Sequence, residues 1–92
     1  TKVLVIPLTE DLTNSLEIAT KLRTSGVKTE IYLEEEKIKQ KLKYADRLGI
    51  PYTILIGEDE IKSGLYTVKN METGEEKKVK MEEIYGIIRS HS

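Results

Sequence analysis

Two residue types on which small enzymes often depend are scarce or missing in this 92-residue chain: there is no cysteine, and the single histidine is His91. Without thiols, the chain has no disulfide framework, no thiolate metal site and no cysteine nucleophile. Chain ends commonly fray, so a histidine one residue from the C-terminus is a poor general base or metal ligand. An enzyme of this sequence would have to work through Glu10, Asp11 or Glu58 to Glu60.

Long hydrophobic runs are also missing. No stretch approaches the ~20 apolar residues that a helix needs to cross a bilayer. The segment from Thr1 to Leu8 lacks the cationic start, long apolar centre and cleavage site of a signal peptide. We therefore expect a cytoplasmic protein without a membrane partner.

The sequence has no excess of charge of one sign and no phosphate-binding loop. The net charge is −1, from 15 basic and 16 acidic residues, which is not typical of a domain that binds a phosphate backbone by itself. The turn after the first apolar run is Thr9-Glu10-Asp11 rather than a glycine-rich loop. Any contact with nucleic acid would have to be local, through a small patch and specific base contacts.

The residues that are present fit one soluble globular domain spanning residues 1–92, since 38% are hydrophobic and 34% are charged. Short apolar runs alternate with amphipathic segments that end at Gly26 and Gly49. In the first of these segments, the helical spacing predicts an apolar stripe of Leu12, Leu16, Ala19 and Leu22. The predicted strands are 3–8, 29–33, 52–56, 64–69 and 75–79, and the last predicted helix is 81–90.

This order predicts an α/β domain with three layers, α/β/α, because each helix between strands must bury its apolar stripe against the sheet. The first three strands should be parallel. The last two, joined by a polar loop that contains Gly74, should form an antiparallel hairpin at one edge. The prediction is a mixed five-stranded sheet with three helices.

An acidic segment directly follows the third strand. Glu58, Asp59 and Glu60 come after Gly57, which permits a sharp turn at the carboxyl edge of the sheet, where open α/β sheets bind ligands. A fixed carboxylate there can accept hydrogen bonds from a guanine edge or a cytosine amino group while it repels phosphate. An ordinary exposed strand end would have the same appearance.

The fourth strand carries polar residues on one face. Thr67 and Lys69 alternate with Tyr66 and Val68, so we expect Thr67 and Lys69 to point away from the core. Tyr66 could stack on a base of single-stranded RNA, although packing under a helix is the commoner role for such a residue.

Two further charged groups have alternative interpretations. Lys39, Lys43 and Arg47 are spaced by four and line one side of the second helix, with Lys37 and Lys41 on a neighbouring row. They could contact phosphates or form a solvated helix face. Glu10 and Asp11 could hold Mg²⁺ as in receiver domains, or cap and electrostatically stabilise the following helix.

The sequence resembles the C-terminal anticodon-binding domain of class II aminoacyl-tRNA synthetases, and among these it is most similar to the histidine enzymes. The resemblance extends from Val3 to about Ile88 and is densest between Lys39 and Glu75. It depends on four segments: Tyr44-Ala45-Asp46-Arg47-Leu48-Gly49-Ile50-Pro51, Gly57-Glu58-Asp59-Glu60, Ser63-Gly64 and Met71-Glu72-Thr73-Gly74-Glu75.

The resemblance implies RNA-binding roles for particular residues. Glu60 matches an acid that follows the glycine of the third strand, and Lys69 matches a basic residue one strand later. Some relatives have arginine at the latter position, and lysine cannot reproduce its bidentate recognition of a base. Glu10 lies in the segment that matches the family's first loop. Together with Glu58 and Thr67, these residues are the predicted RNA contacts.

The resemblance also implies partners and cofactors that lie outside this chain. The partners are the anticodon arm of a transfer RNA and the catalytic domain of a longer, homodimeric parent chain, of which this domain is expected to be a fragment. ATP and Mg²⁺ would be used in that catalytic domain, and no cofactor or metal is expected here. This chain alone should not aminoacylate. The alternatives are a signalling or protein-interaction domain with a flavodoxin-like core, and a regulatory paralogue of a synthetase.

Overall fold

The structure is a computed structural model, and it describes residues 2–9, 12–33 and 37–91. The predicted acidic first turn, Glu10 and Asp11, lies outside the described residues, as do Glu34 to Glu36. Five strands and four helices form within the described ranges. They are β1 (Val3–Pro7), α1 (Thr13–Thr24), β2 (Thr29–Ile31), α2 (Ile38–Arg47), β3 (Tyr52–Ile56), α3 (Glu58–Ser63), β4 (Tyr66–Asn70), β5 (Glu76–Val79) and α4 (Met81–His91).

The five strands form one sheet in the order β2-β1-β3-β4-β5. β1 is parallel to both of its neighbours, and Val5 is in register with Ile31 on one side and Ile54 on the other. β4 runs antiparallel to β3, and β5 antiparallel to β4. The predicted mixed sheet, with three parallel strands and an edge hairpin, is confirmed.

Hydrophobic cores lie on both faces of the sheet. On one face, α1 and α4 pack against β1, β3 and β4, around the fully buried Ile54, and form the larger core. On the other face, Ala45 of α2 packs against Leu4 and Ile6 of β1 in the smaller core. Because successive strand residues point to opposite faces, a fully apolar run such as β1 supplies both cores. The predicted three-layer architecture is therefore confirmed.

The α2 side of the sheet is covered over only part of its width. The core on this side reaches Leu55 of β3 and Met71. Beyond this core, two half-exposed side chains of β4 and two exposed side chains of β5 lie on the same face of the sheet. Each of the two on β4 is paired with one of the two on β5 in the strand register. These four residues are called the open half-face: Thr67, Lys69, Glu76 and Lys78. The prediction that Thr67 and Lys69 point away from the larger core is confirmed.

The prediction of three helices is wrong by one, since the acidic turn after Gly57 forms the six-residue helix α3. Its last residue is followed by Gly64, whose φ of +74° is a left-handed conformation that glycine adopts without steric cost. A helix of six residues is too short to show the apolar periodicity by which helices are predicted. Its half-buried Ile61 packs against the larger core.

The predicted buried face of α1 is also partly wrong. Leu16 is 51% exposed, whereas Ser15, Ile18, Ala19 and Leu22 are buried. The buried face has helical spacing, as predicted, but it contains Ser15 where the prediction placed Leu16. Because serine is polar, the apolar pattern alone selected the leucine next to it. Leu12 occupies the N-cap position.

Candidate nucleic-acid interface

The carboxyl ends of the parallel strands β1 and β3 lie side by side, and the chain leaves both at this edge. Leu8, which follows β1, donates its backbone N–H to the carbonyl of Ile56 at 2.8 Å. Gly57 and α3 follow β3 directly. The segment after β1 and the acidic start of α3 therefore belong to one edge of the sheet, as predicted from the strand order.

Glu60 is held in a defined position at this edge. Its Oε1 accepts a hydrogen bond from the backbone N–H of Gly57 at 2.9 Å, so the side chain folds back over the first turn of α3. This is the glutamate half of a capping box, and it satisfies one of the donors that a helix start leaves without an intrahelical acceptor. A Cβ atom at position 57 would lie 2.9 Å from the same oxygen, so a side chain there would require the Glu60 carboxylate to shift.

The neighbouring acids are placed differently. Glu58 and Asp59 are exposed, whereas Glu60 is half-buried. All three lie in the first turn of α3, where negative charge interacts favourably with the helix dipole. Glu60 is therefore the carboxylate of the three with a fixed orientation, and Glu58 is accessible beside it. Glu10 lies outside the described residues.

Thr67 and Lys69 follow one another along the open half-face instead of gathering around Glu60. In the register, Thr67 pairs with Leu55 and Lys69 with Thr53, which are two and four residues before Gly57. At about 3.3 Å per residue, Lys69 lies roughly 13 Å along the sheet from the level of Gly57. Glu60, which follows Gly57, and Lys69 are therefore attached at different levels along the sheet.

Lys69 has charged neighbours on β5. It pairs with Glu76, and Thr67 pairs with Lys78, so each polar residue of β4 faces a charged residue across the hairpin. Lys78 was not among the predicted contacts. Its position could have been found by extending the two-residue alternation of Thr67 and Lys69 across the predicted hairpin to the facing strand.

Tyr66 does not form a surface for stacking. Only 4% of it is exposed, and its hydroxyl accepts a hydrogen bond from Nδ2 of Asn14 in α1 at 3.1 Å. The expectation that it packs under a helix is confirmed, and the stacking role is excluded by its burial. Tyr66 supports the carboxyl edge from the side of the larger core.

The cations of α2 divide into two groups. Lys37, Lys39, Lys43 and Arg47 are exposed, as expected of a basic helix face. Lys41, which was expected on a neighbouring exposed row, is 7% exposed. Its Nζ donates to the carbonyl of Pro7 at 3.5 Å and lies 5.8 Å from the ring centroid of Tyr32. The sequence did contain a signal for this, because Lys41 precedes Leu42 and lies four residues before the buried Ala45.

At the end of the sheet opposite the carboxyl edge, a tyrosine has a raised pKa. Burial raises the pKa of Tyr52, and the negative charge of Glu72 raises it further. Nearby, the hydroxyl of the buried Thr53 donates to the sulfur of Met71 at 3.6 Å. These contacts join the start of β3 to the residue that follows β4, and they hold the hairpin against the parallel strands.

Within residues 2–9, 12–33 and 37–91, no helix is both long enough and apolar enough to cross a membrane. The same residues contain no group of three or more His, Cys, Asp or Glu side chains that could hold a metal ion.

Comparison with known protein families identifies the family to which this mixed sheet belongs. Residues 2–91 match the family model described as the anticodon binding domain, and the chain belongs to this family. The resemblance stated from the sequence is thereby confirmed.

Individual relatives indicate a branch of this family. The chain is 47% identical, over 97% of its length, to the histidine–tRNA ligase of Clostridium tetani, and 39% identical, over 96%, to that of Pyrococcus furiosus. It spans 20% and 21% of those two proteins. A crystal structure of histidyl-tRNA synthetase from Nostoc sp. PCC 7120 superimposes with a TM-score of 0.93, covering 99% of this chain and 22% of that one. At 23% identity, this last match supports the fold alone.

Proposed function

We propose that this chain is the tRNA anticodon-binding module of a histidine–tRNA ligase. The observation that supports this most directly is the 47% identity to such a ligase over 97% of the chain, within a family of anticodon-binding domains. In this proposal, the module holds the anticodon arm and so positions the acceptor end of the tRNA in a catalytic domain.

In this proposal, the aminoacylation reaction takes place in the rest of the parent protein. The curated relatives are about five times as long as the matched segment, which leaves room for a catalytic domain that uses ATP and Mg²⁺. The parent is proposed to be a cytoplasmic homodimer. Within this division of work, the chain contributes binding and orientation, and the acylation step takes place elsewhere.

Glu60 is the proposed base-reading residue at the carboxyl edge. Its hydrogen bond to the N–H of Gly57 engages Oε1 and orients the carboxylate. A second oxygen, Oε2, can then accept a hydrogen bond from a guanine edge or a cytosine amino group. Because the cap fixes the side chain in advance, little conformational entropy is lost when a base binds. Glu58, exposed beside it, is a second proposed acceptor, and Glu10 is proposed to approach from the segment after β1.

The open half-face is proposed to carry the RNA strand away from Glu60. Thr67 can donate or accept a hydrogen bond, and Lys69 and Lys78 supply positive charge to phosphates. Lysine suits this role, since it acts as a point charge and does not need a bidentate geometry. Glu76 would disfavour phosphate close to Lys69, which limits the positions that a strand can take along the hairpin.

A titration of the chain with an anticodon stem-loop RNA tests the proposal. Glu60→Gln keeps an oxygen for the bond to Gly57 but removes the negative charge, so α3 should remain folded while base recognition weakens. We expect a loss of about 1–3 kcal/mol in binding free energy, the usual discrimination of one good base contact. Glu75→Gln, at an exposed position of the hairpin turn, is the control with the same change of charge.

Binding should also weaken with added salt, because phosphate contacts release counterions. If neither the stem-loop nor a complete tRNA binds at low salt, the proposed function is wrong. If binding occurs but Glu60→Gln and Glu75→Gln behave alike, RNA binding stands and the role of Glu60 is rejected.

A further inference from the structure

A groove of about 770 Å³ lies between the outer edge of β2 and α2, at the opposite edge of the sheet from the open half-face. It contains apolar, aromatic and cationic side chains. The residues that define it are Tyr32, Leu33, Gln40, Lys43, Tyr44 and Arg47. Its volume is within the range of pockets that hold small ligands.

One face of α2 forms a wall of this groove. Gln40, Lys43, Tyr44 and Arg47 are spaced by three and four residues, so they form a single stripe along the helix. Lys39 lies outside this stripe and does not line the groove. The structure thus separates the three cations that the sequence grouped together: Lys43 and Arg47 line the groove, and Lys39 does not.

The aromatic part of the groove is ordered by packing. The rings of Tyr32 and Tyr44 meet edge to face, with centroids 5.0 Å apart and planes at 71°. Lys41, which is buried, approaches the ring of the half-buried Tyr32 to 5.8 Å. Next to these rings, Leu33, two residues beyond the end of β2, is 64% exposed. The groove therefore offers an apolar surface beside two cations.

Hydrogen-bonding groups complete this surface. β2 is an edge strand, and the alternation of its bonds to β1, such as Tyr32 N–H to the Val5 carbonyl at 2.9 Å, directs the backbone groups of Ile31 outward. Gln40 adds an amide that can both donate and accept. Polar groups of both kinds are thus available at the walls of the groove.

From this arrangement we infer that the groove binds one unpaired nucleotide of an RNA strand, with its base against Leu33 and Tyr44 and its phosphate at Lys43 and Arg47. Aromatic surfaces flanked by cations are the usual means of binding single-stranded nucleic acid. The inference rests on the RNA-binding function proposed above. It adds a second contact that is separated from Glu60 by the width of β1 and β2.

The test is an amide-shift titration of the chain with a single-stranded RNA decamer of mixed sequence. The amides of residues 31–33 and 40–47 should shift on binding. Lys43→Gln with Arg47→Gln should weaken binding about tenfold and reduce the salt slope by about 0.7, for one lost phosphate contact on a single strand. Lys37→Gln with Lys39→Gln is the matched control, because it removes the same charge from the same helix outside the groove, and it should weaken binding less than threefold.

The contribution of the base is tested separately. Tyr44→Leu keeps an apolar side chain but removes the ring, so it should weaken binding of the decamer and leave binding of inorganic polyphosphate unchanged. Thermal unfolding of each variant identifies any that fail to fold, and in that case Leu33→Asn, at an exposed position, replaces Tyr44→Leu.

Several results would overturn the inference. Equal weakening by the two double variants would mean that only overall charge matters, and polyphosphate binding as tight as that of RNA would mean that no base is held. Unchanged RNA binding by the groove variants, together with a loss in Glu60→Gln, would reject the groove and retain the proposed function. Shifts of the groove amides with an extended peptide and not with RNA would assign it to a protein partner.

Discussion

At the scale of single residues, Gly57 and Glu60 determine each other's position. The glutamate folds over the first turn of α3, and a Cβ at residue 57 would meet its Oε1 at 2.9 Å, so a side chain there would require the carboxylate to shift. The absence of a side chain at residue 57 thus leaves room for the carboxylate in its observed position. Sequence reasoning selected both residues, but it attributed the glycine to the sharpness of the turn.

Gly57→Ala should therefore displace Glu60 without removing it. We expect the loss of the capping bond to cost about 1 kcal/mol in the free energy of unfolding, and RNA affinity to fall as it does in Glu60→Gln. Denaturant unfolding and RNA titration measure the two effects. Gly86→Ala is the control: it lies inside α4 with nothing within 4 Å of an added Cβ, so it should stabilise the protein by about 0.5–1 kcal/mol. Retention of full RNA affinity by Gly57→Ala would contradict the coupling.

Tyr52 gives the protein a predictable response to alkaline pH. Its pKa is raised above the ordinary value of 10.0 by burial and by Glu72. Above pH 10, the unfolded chain ionises this phenol before the folded protein does, so the folded state binds more protons and stability falls as pH rises. Below pH 10 the contribution is fully present, and the decline continues up to the raised pKa.

Denaturant unfolding at a series of pH values from 9 to 11 checks this expectation. Tyr52→Phe should lose stability less steeply above pH 10 than the unaltered protein. Tyr85→Phe, at a position that is 36% exposed, controls for the loss of a phenol elsewhere. Parallel curves for the unaltered protein and Tyr52→Phe would show that other groups cause the decline.

At the scale of helices and strands, the predictability of an element depended on its length and on how many of its faces are buried. β3 was predicted with both of its ends correct, because a strand buried on both faces is rich in apolar and β-branched residues along its whole length, and this one is followed directly by Gly57. α4 was predicted to within one residue from Ile84, Ile87 and Ile88. By contrast, β2 ends at Ile31 and not at Leu33, since a three-residue edge strand offers too little alternation to locate its end.

The contact between α1 and β4 provides a test at this scale. Tyr66→Phe removes the hydroxyl that accepts a hydrogen bond from Asn14, and leaves the ring in the core. We expect the protein to lose about 0.5–1.5 kcal/mol of unfolding free energy, the usual net contribution of such a bond. RNA affinity should not change, since the ring is buried. A selective loss of RNA binding, with stability intact, would restore a direct role for Tyr66.

At the scale of the whole molecule, the fold follows from the pattern of elements more fully than the interface does. Alternating strands and helices determine a parallel sheet, and the hairpin must then extend it at an edge. The position of Lys69 depended on the register, which the pattern does not contain and which sets its distance from the level of Gly57. The burial of Lys41 did have a signal in the pattern, and it accompanies the packing of Tyr32 against Tyr44.

The centre of the sheet should carry much of the stability of the entire domain. Ile54 is fully buried in β3, between β1 and β4 and beneath the helices of the larger core. Ile54→Ala should cost about 2–5 kcal/mol, which is a large share of the 5–15 kcal/mol that is typical of a domain. Chemical denaturation measures this loss. Leu48→Ala, at a position that is 54% exposed, should change stability by less than about 0.5 kcal/mol, and comparable losses in the two variants would contradict the assigned core.

The incomplete cover of the α2 side has a consequence for how such a domain can diversify. Thr67, Lys69, Glu76 and Lys78 belong to the sheet backbone, yet their side chains lie beyond the edge of the smaller core. Substitutions at these four positions can therefore alter what the surface recognises while the packed interior stays the same. Single substitutions there need no compensating changes in the core.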